Sequence, residues 1–566
     1  MAIKLEIDDQ RKEILTANGH LLVEGGPGSG KTTIALLKAM KLIDDGVVGS
    51  NQKILFLSFA RATVARVEEQ ASHLFNSEHK RKIEVNTYHG FCWSVIQSFG
   101  THLIPHKIFK LITPPALSSL TSTLSRDERT AFVERQFVEK GVVGFDLFSR
   151  IASDIFEKGI KICSIYNKAY PIVIVDEFQD TDDNEWRLIK LLGINSSIIA
   201  LADLQQRIFE FRGASVTRIP EFKDYFKAKM FNLGKDNNRS ANTDIAIFGD
   251  DLLTGTNKGK VYTDVTIIPY TPFQNDPKQQ LKYAVFTSLK RLKKSMPDGG
   301  WSIAILVKTK AETLQVSNYF TSSNINHDVI IDPAGPSLAA SFIAKLMEPI
   351  NDGIISVDKI IKELLNHIKG RKEKLTGADG KICQVLEQFL ETQKVRGKNN
   401  QQLINDILKL IEGRQEIIFS GVPEEDWLKV RSIFQSLTSQ SLKDVYEDAK
   451  YLRLLNKGAI LREKLAKVWR DNQCYQNAAQ SVDEALTQEH FAMSSRKYNG
   501  IYVMNIHKSK GKEFDEVIIW EDAFKSLVYQ NANPTPNDRI LLRVAITRSR
   551  SHSTILTPQR NPCILL

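Results

Sequence analysis

Leu21–Thr33 reads LLVEGGPGSGKTT: a short apolar run, a glycine-rich turn, and then the opening of a helix-compatible segment, IALLKAMKLI. Gly25, Gly30, Lys31 and Thr32 satisfy G-x-x-x-x-G-K-[ST], and the motif needs the strand before it and the helix after it. Glycines let successive backbone N–H groups turn toward one point, which makes a cradle for phosphate oxygens. Gly26, Gly28, Ser29 and Gly30 form the turn, Lys31 is placed to reach the β and γ phosphates, the Thr32 hydroxyl to ligate Mg²⁺, and Thr33 follows in the first helical turn. The open amides and dipole of the new helix add to the anion site. The bland alternative is a glycine turn that merely ends a strand; with both flanks correct, the phosphate cradle is the reading carried forward.

At 566 residues the chain is too long for one core, and a spacing of one domain per 150 residues or so implies about three to five units. Hydrophobic residues at 42% and charged residues at 25% exclude a disordered or fibrous chain. Lys and Arg number 76 against 66 Asp and Glu, and the net +10 suits a polyanionic partner such as nucleic acid, although over this length it is weak evidence alone. Cys92, Cys163, Cys383, Cys474 and Cys563 are scattered with no C-x-x-C pair, so neither a disulfide framework nor a zinc site is expected. With no apolar leader and no run long enough to span a bilayer, a reducing, cytoplasmic setting without membrane contact is expected.

Taken in order, Asp8–Thr16 reads as a capped short helix, and Gln10 within it is by position alone a solvated glutamine. Lys53–Phe59 is a buried strand with Phe59 and Arg61 at its exit, able to stack a base and hold a phosphate, although by position alone they read as a core aromatic beside a solvated arginine. Ile83–Thr87 is another strand, running into TYHGF, where His89 is either a turn residue or a phosphate contact. The stretch 91–170 reads as an inserted helical subdomain, interrupted at ITPPALSSLTSTLS near Pro114 and Pro115.

In PIVIVDEFQDT, Ile172–Val175 is a strand whose exit carries Asp176, placed to hold Mg²⁺ through water, and Glu177, placed to orient and deprotonate the attacking water. Two acids after a β-branched run also suit an ordinary strand exit, and the Lys31 site tips the reading toward chemistry. Ser197–Ala202 is a further strand leading to Gln206, placed to sense a γ-phosphate, and to Phe209, Phe211 and Arg212, the chemistry of a single-strand stacking platform, although two alternating Phe residues alone read as core.

In order and character, Gln10, GGPGSGKT, SFARAT, TYHGF, DEFQDT and DLQQRIFEFRGA resemble the motifs of superfamily 1 helicases of the UvrD/Rep type. The likeness continues with Arg239 in FNLGKDNNRSANTDI, the strand of WSIAILVKTKAET, the run NIHKSKGKEF with His507, Lys510, Gly511, Glu513 and Phe514, and VAITRSR with Arg548.

The resemblance implies an α/β fold of two RecA-like P-loop domains with parallel sheets, each carrying a mainly helical insertion. The first motor domain is expected over 1–90 and 171–230 with its insertion at 91–170, the second over 231–331 and 497–566 with its insertion at 332–496. It implies ATP and Mg²⁺ between the domains, with Lys31, Thr32, Asp176, Glu177 and Gln206 on one side and Arg239 and Arg548 stabilising charge from the other. Gln10 would read the adenine edge, and Gly511 and Glu513 would touch ribose or phosphate. Single-stranded DNA would cross Phe59, Arg61, His89, Phe209, Phe211, Arg212 and His507, with movement 3′ to 5′; RNA as the track stays open.

Thr33 and Asn238 replace the arginine and tyrosine that sandwich adenine in close relatives, so weaker discrimination among bases is expected. The first function implied is an ATP-dependent 3′ to 5′ DNA helicase or translocase, with DNA repair, replication restart and antiviral defence all open as its setting. The second is a DNA-gated ATPase subunit that regulates a partner, a nuclease or another member of a repair or antiviral defence complex, with little unwinding of its own. The chain stops 18 residues after Arg548, and no C-terminal nuclease is expected.

Overall fold

Short apolar runs rich in Ile, Val and Leu, bounded by Gly, Pro, Asn or Asp, become parallel strands because helices on both faces leave no polar side to alternate with. The computed structural model describes residues 7–26, 28–59, 64, 67–68, 70–71, 74–122, 124–203, 215, 217–234, 243–271, 277–297, 299–331, 334–349, 357–371, 375, 377–450, 459–491, 498–523, 526–527 and 534–566. Within them the strands are β1 (Leu21–Glu24), β2 (Ile54–Ser58), β3 (Ile83–Thr87), β4 (Lys110–Ile112), β5 (Val142–Gly144), β6 (Ile172–Val175), β7 (Ser197–Ala202), β8 (Lys229–Asn232), β9 (Val265–Tyr270), β10 (Ser302–Val307), β11 (Asp328–Ile330), β12 (Gly500–Asn505), β13 (Phe514–Trp520) and β14 (Ser549–Pro558).

The chain divides into two compact units, one of 1–103, 149–331 and 493–566, the other of 104–148 and 332–492. The first unit holds two six-stranded sheets in the orders β3-β2-β6-β7-β1-β8 and β11-β12-β10-β13-β14-β9, all of whose neighbours pair in parallel. These are the two parallel α/β sheets expected. In the first sheet Glu24 lies beside Ala202, and Val175 beside Ala200. The turn after β1, Asp176 after β6 and Asp203 after β7 therefore leave the same carboxyl edge, where open α/β sheets hold ligands. Ile34, Leu36, Phe56 and Ile174 pack one face of that sheet, while Phe248 and Leu542 cover one face of the second and Leu281 and Val285 the other.

The second unit is mainly helical around Phe342, Ile361, Leu364, Ile407, Trp427 and Val445, with a two-stranded parallel ribbon of β4 and β5. Its composition cuts the chain differently from the two separate insertions read at 91–170 and 332–496, since 104–148 joins 332–492 and the flanking parts of 91–170 stay with the sheets.

ITPPALSSLTSTLS, read as an interruption, instead contains the helix Pro114–Thr121 with proline in its first turn. Proline is tolerated there, because the N–H it lacks has no intrahelical partner anyway. That helix meets Val357–Gly370 through the Ser119 hydroxyl, which donates to Asn366 Oδ1 at 2.9 Å. A Cβ on Gly370 would stand 2.7 Å from the Pro115 carbonyl oxygen, so the approach needs glycine.

All five cysteines are free thiols, and no helix among the described residues is long and apolar enough to cross a membrane.

Candidate nucleotide site

The helix Asp9–Thr16 is capped by Asp8, whose carboxylate accepts from Arg11 N at 2.7 Å and pairs with the Arg11 guanidinium. Arg11 is buried and also donates to the Ser29 carbonyl at 3.2 Å, which ties the first turn of this helix to the glycine loop. The other end is held by Lys38, 2% exposed, on the helix that follows the loop. Its ammonium donates to the carbonyls of Ile14 at 2.9 Å, Leu15 at 3.3 Å and Ala17 at 2.6 Å, the orphan acceptors of a helix C-terminus. Gln10 is exposed on this strapped helix.

Gly28 and Gly30 adopt φ of 78° and 87°, which an L side chain resists, and Gly30 is the N-cap of the helix Lys31–Asp44. A Cβ on Gly25 would lie 2.4 Å from Ser29 Oγ, so the loop closes only with glycine there. Ser29 and Thr32 are buried, Gly26 and Thr33 partly exposed. Lys31 Nζ donates to the carbonyls of Gly25 at 2.6 Å and Gly26 at 3.0 Å, and lies 3.8 Å from Asp203 Oδ2.

Asp176 is buried and its N–H donates to the Leu57 carbonyl at 2.8 Å, an extension of the β2–β6 pairing. Glu177 follows with φ 53° and ψ 37°, a left-handed conformation that costs a non-glycine residue of order 1–2 kcal/mol. Its Oε2 accepts from Gln179 Nε2 at 2.6 Å, and Gln179 Oε1 accepts from Asp203 N at 2.9 Å, so one buried glutamine links the exits of β6 and β7. Burial works against charge on Glu177, but Lys510, Lys31, the Gln179 hydrogen bond and Arg548 outweigh it and hold the carboxyl below the usual glutamate range.

Lys31 comes from the first sheet's loop, whereas Lys510 and Arg548 belong to the second sheet's connections. Lys510 Nζ is 2.5 Å from Asp180 Oδ2, both side chains nearly inaccessible. Arg548, 1% exposed, donates from Nε to the Val544 carbonyl at 3.0 Å. Gly511 turns with φ 75° directly after Lys510, and Glu513 lies 3.4 Å from Arg550.

The described residues hold no group of three or more His, Cys, Asp or Glu fit to cage a metal. A hydroxyl and a carboxylate, Thr32 and Asp176, nevertheless suit Mg²⁺, which takes few protein oxygens when a nucleotide's phosphates complete its shell.

Residues 7–142 and 128–227 match the family described as the UvrD/REP helicase N-terminal domain. The likeness to UvrD/Rep helicases thus covers residues 7–227 of this chain. The chain is 21% identical to a probable DNA helicase II homolog of Rickettsia conorii over 96% of this chain and 91% of that protein. It is 22% identical to the ATP-dependent DNA helicase PcrA of Staphylococcus epidermidis over 57% of this chain and 50% of that protein. With the PcrA of Staphylococcus aureus the figures are 24%, 42% and 38%, so the matches span half or less of the PcrA proteins.

Of the residues that a UvrD/Rep resemblance assigns to DNA, Phe59 stacks on Tyr88, ring centroids 4.5 Å apart, with Tyr88 fully buried beneath it. His89 is half-buried in the first turn of Tyr88–Phe99, and His507 is exposed in Ile506–Ser509. Arg61, Gln206, Phe209, Phe211, Arg212, Asn238 and Arg239 lie outside the described residues. Sequence reasoning passed over Arg11, Lys38, Gln179 and Asp180; the last two stand inside DEFQDT, but nothing in their spacing announces their partners.

Lys38→Met keeps the length of the side chain and removes its donor. It is expected to lower unfolding stability by about 2 kcal/mol, the cost of leaving buried carbonyls unsatisfied, and to speed amide exchange in residues 9–17. An unchanged denaturation midpoint would show that the three contacts hold nothing.

Proposed function

We propose that this chain is an ATP-hydrolysing DNA helicase or single-stranded DNA translocase that couples hydrolysis between its two sheets to 3′ to 5′ movement. The observation that carries the reading is Glu177, an acid aimed by a left-handed backbone and surrounded by Lys31 from one sheet and by Lys510 and Arg548 from the other. An acid kept ionised in that setting suits removal of a proton from an attacking water. Lys31 and Arg548 suit stabilisation of charge spread over a transferred phosphoryl group, with Arg239 and Gln206 assigned the same region by resemblance.

Because the cations come from both sheets, hydrolysis would depend on their approach, which is how a bound strand gates turnover. Thr32 and Asp176 would hold Mg²⁺, which supplies charge neutralisation at the phosphates when bound. Gln10, Gly511 and Glu513 are assigned to the nucleoside side, and Gly26, Gly28, Ser29, Gly30 and Thr33 to the phosphates. Phe59, His89 and His507, with Arg61, Phe209, Phe211 and Arg212, are assigned to a single strand of DNA. The names of the relatives and the net charge of +10 favour DNA as the partner.

The test is steady-state ATP hydrolysis alone, with single-stranded DNA and with single-stranded RNA, using Lys31→Ala as the blank. Stimulation of more than about tenfold by DNA, abolished in the blank, is expected, since the lysine stabilises charge on the phosphates and the bound strand brings the two sheets together. Equal rates with and without either polymer would sink the motor reading and favour a regulatory ATPase gated by a partner.

A further inference from the structure

Six units of the chain's +10 sit on one helix. Pro277–Ser295 reads PKQQLKYAVFTSLKRLKKS, with Lys278, Lys282, Lys290, Arg291, Lys293 and Lys294 and neither Asp nor Glu, which leaves +4 for the other 547 residues. Leu281, Ala284, Val285, Ser288 and Leu292 recur at helical spacing and are buried against the second sheet. The opposite stripe is Tyr283, Phe286, Lys290, Lys293 and Lys294. Tyr283 is 59% and Phe286 49% exposed, and the three lysines are exposed with them.

Two details set this face apart from a solvated one. Ordinary surfaces intersperse both signs, whereas a single-sign face focuses a field. The one arginine is drawn off the stripe, its guanidinium donating to Glu516 of β13 at 3.0 and 2.7 Å, so the compact lysine charges remain toward solvent. Beside them two aromatic rings three residues apart stay open, with the Lys282 ammonium 6.0 Å from the Phe286 centroid. Exposed rings among lysines are the chemistry that stacks unpaired bases while neutralising their phosphates. An acidic protein would use the lysines but gives no reason for the rings. At about 1.5 Å per residue, Tyr283 to Lys294 runs about 16 Å, the reach of a short run of nucleotides.

We propose that the exposed face of Pro277–Ser295 binds a segment of single-stranded nucleic acid outside the motor track, with bases on Tyr283 and Phe286 and phosphates on Lys290, Lys293 and Lys294. This rests on DNA being the partner, and it shares no residue with the strand contacts assigned above. The test is fluorescence anisotropy of the full chain, without nucleotide, on an oligothymidylate and on a blunt duplex of equal length across a salt series.

The variants are Lys290→Glu/Lys293→Glu/Lys294→Glu and Tyr283→Ala/Phe286→Ala, both on exposed positions and both required to show the parent's unfolding midpoint. The charge variant is expected to lose at least about tenfold in single-strand affinity and to flatten the slope of log K against log salt by about 2, three phosphate contacts at 0.7 each. The aromatic variant is expected to lose about tenfold with its slope kept. Unchanged affinity and slope in both variants would overturn the proposal. So would a charge variant that weakens duplex more than single strand while the aromatic variant is silent. A parent chain that binds neither oligonucleotide would instead refute DNA as the partner.

Discussion

Glu177→Gln is expected to lower maximal ATP turnover by about 10²- to 10⁴-fold, the usual worth of a positioned general base, while changing nucleotide binding by no more than about twofold. Glutamine keeps the size of the side chain and an oxygen for the Gln179 amide, which donates to Glu177 at 2.6 Å. What it removes is the charge and the proton acceptor. The parent carboxyl is held below the ordinary glutamate range by Lys510, Lys31, Gln179 and Arg548 against the opposing effect of burial.

A depressed carboxylate stays ionised as pH falls, so the acid limb of the pH profile of kcat should lie below the ordinary glutamate value. Gln179→Ala deletes one of the lowering interactions and should move that limb upward. A purely structural glutamine would reduce kcat or stability and leave the limb where it was. If Glu177→Gln turns over ATP at the parent rate, the proton goes elsewhere and the assigned base is wrong.

What could be read from the chain follows a physical division. Leu21–Glu24, Ile172–Val175 and Ser197–Ala202 were legible as strands because a buried parallel strand is a continuous apolar run, and the loop at Gly25–Gly30 because only glycine supplies its left-handed turns. Asp176 and Glu177 were legible because acids at a strand exit are local in sequence.

Pro114 misled, since a proline that breaks a helix interior also suits a first turn, and only packing against Val357–Gly370 decides between them. Lys38 reads as one more polar position of an amphipathic helix and is instead buried on three carbonyls. The Asp180–Lys510 pair joins residues 330 positions apart, a meeting that no local pattern encodes. The union of 104–148 with 332–492 was hidden for the same reason, because helix faces show that they need a partner but not which one.

That pair supports the second large effect. Asp180 follows β6 in the first sheet, Lys510 precedes β13 in the second, and their charges lie 2.5 Å apart with side-chain exposures of 2% and 6%. Removing one charge of a buried pair costs about 3–5 kcal/mol, because the remaining charge keeps its desolvation penalty and loses its attraction. Lys510→Met and Asp180→Asn are each expected to lower turnover at saturating ATP and DNA by about 10²-fold, since 1.4 kcal/mol is tenfold and part of the loss falls on approach of the sheets.

Lys510→Met should be the more damaging of the two, because Lys510 also holds the Glu177 carboxyl down. The double variant decides whether contact or mere presence matters. If the ion pair joins the sheets, its loss counts once, and the double variant should be less damaged than the two single losses multiplied, a coupling of about 2 kcal/mol. Strictly multiplicative losses would mean that each side chain serves its own half and that Asp180 and Lys510 meet without transmitting anything between them.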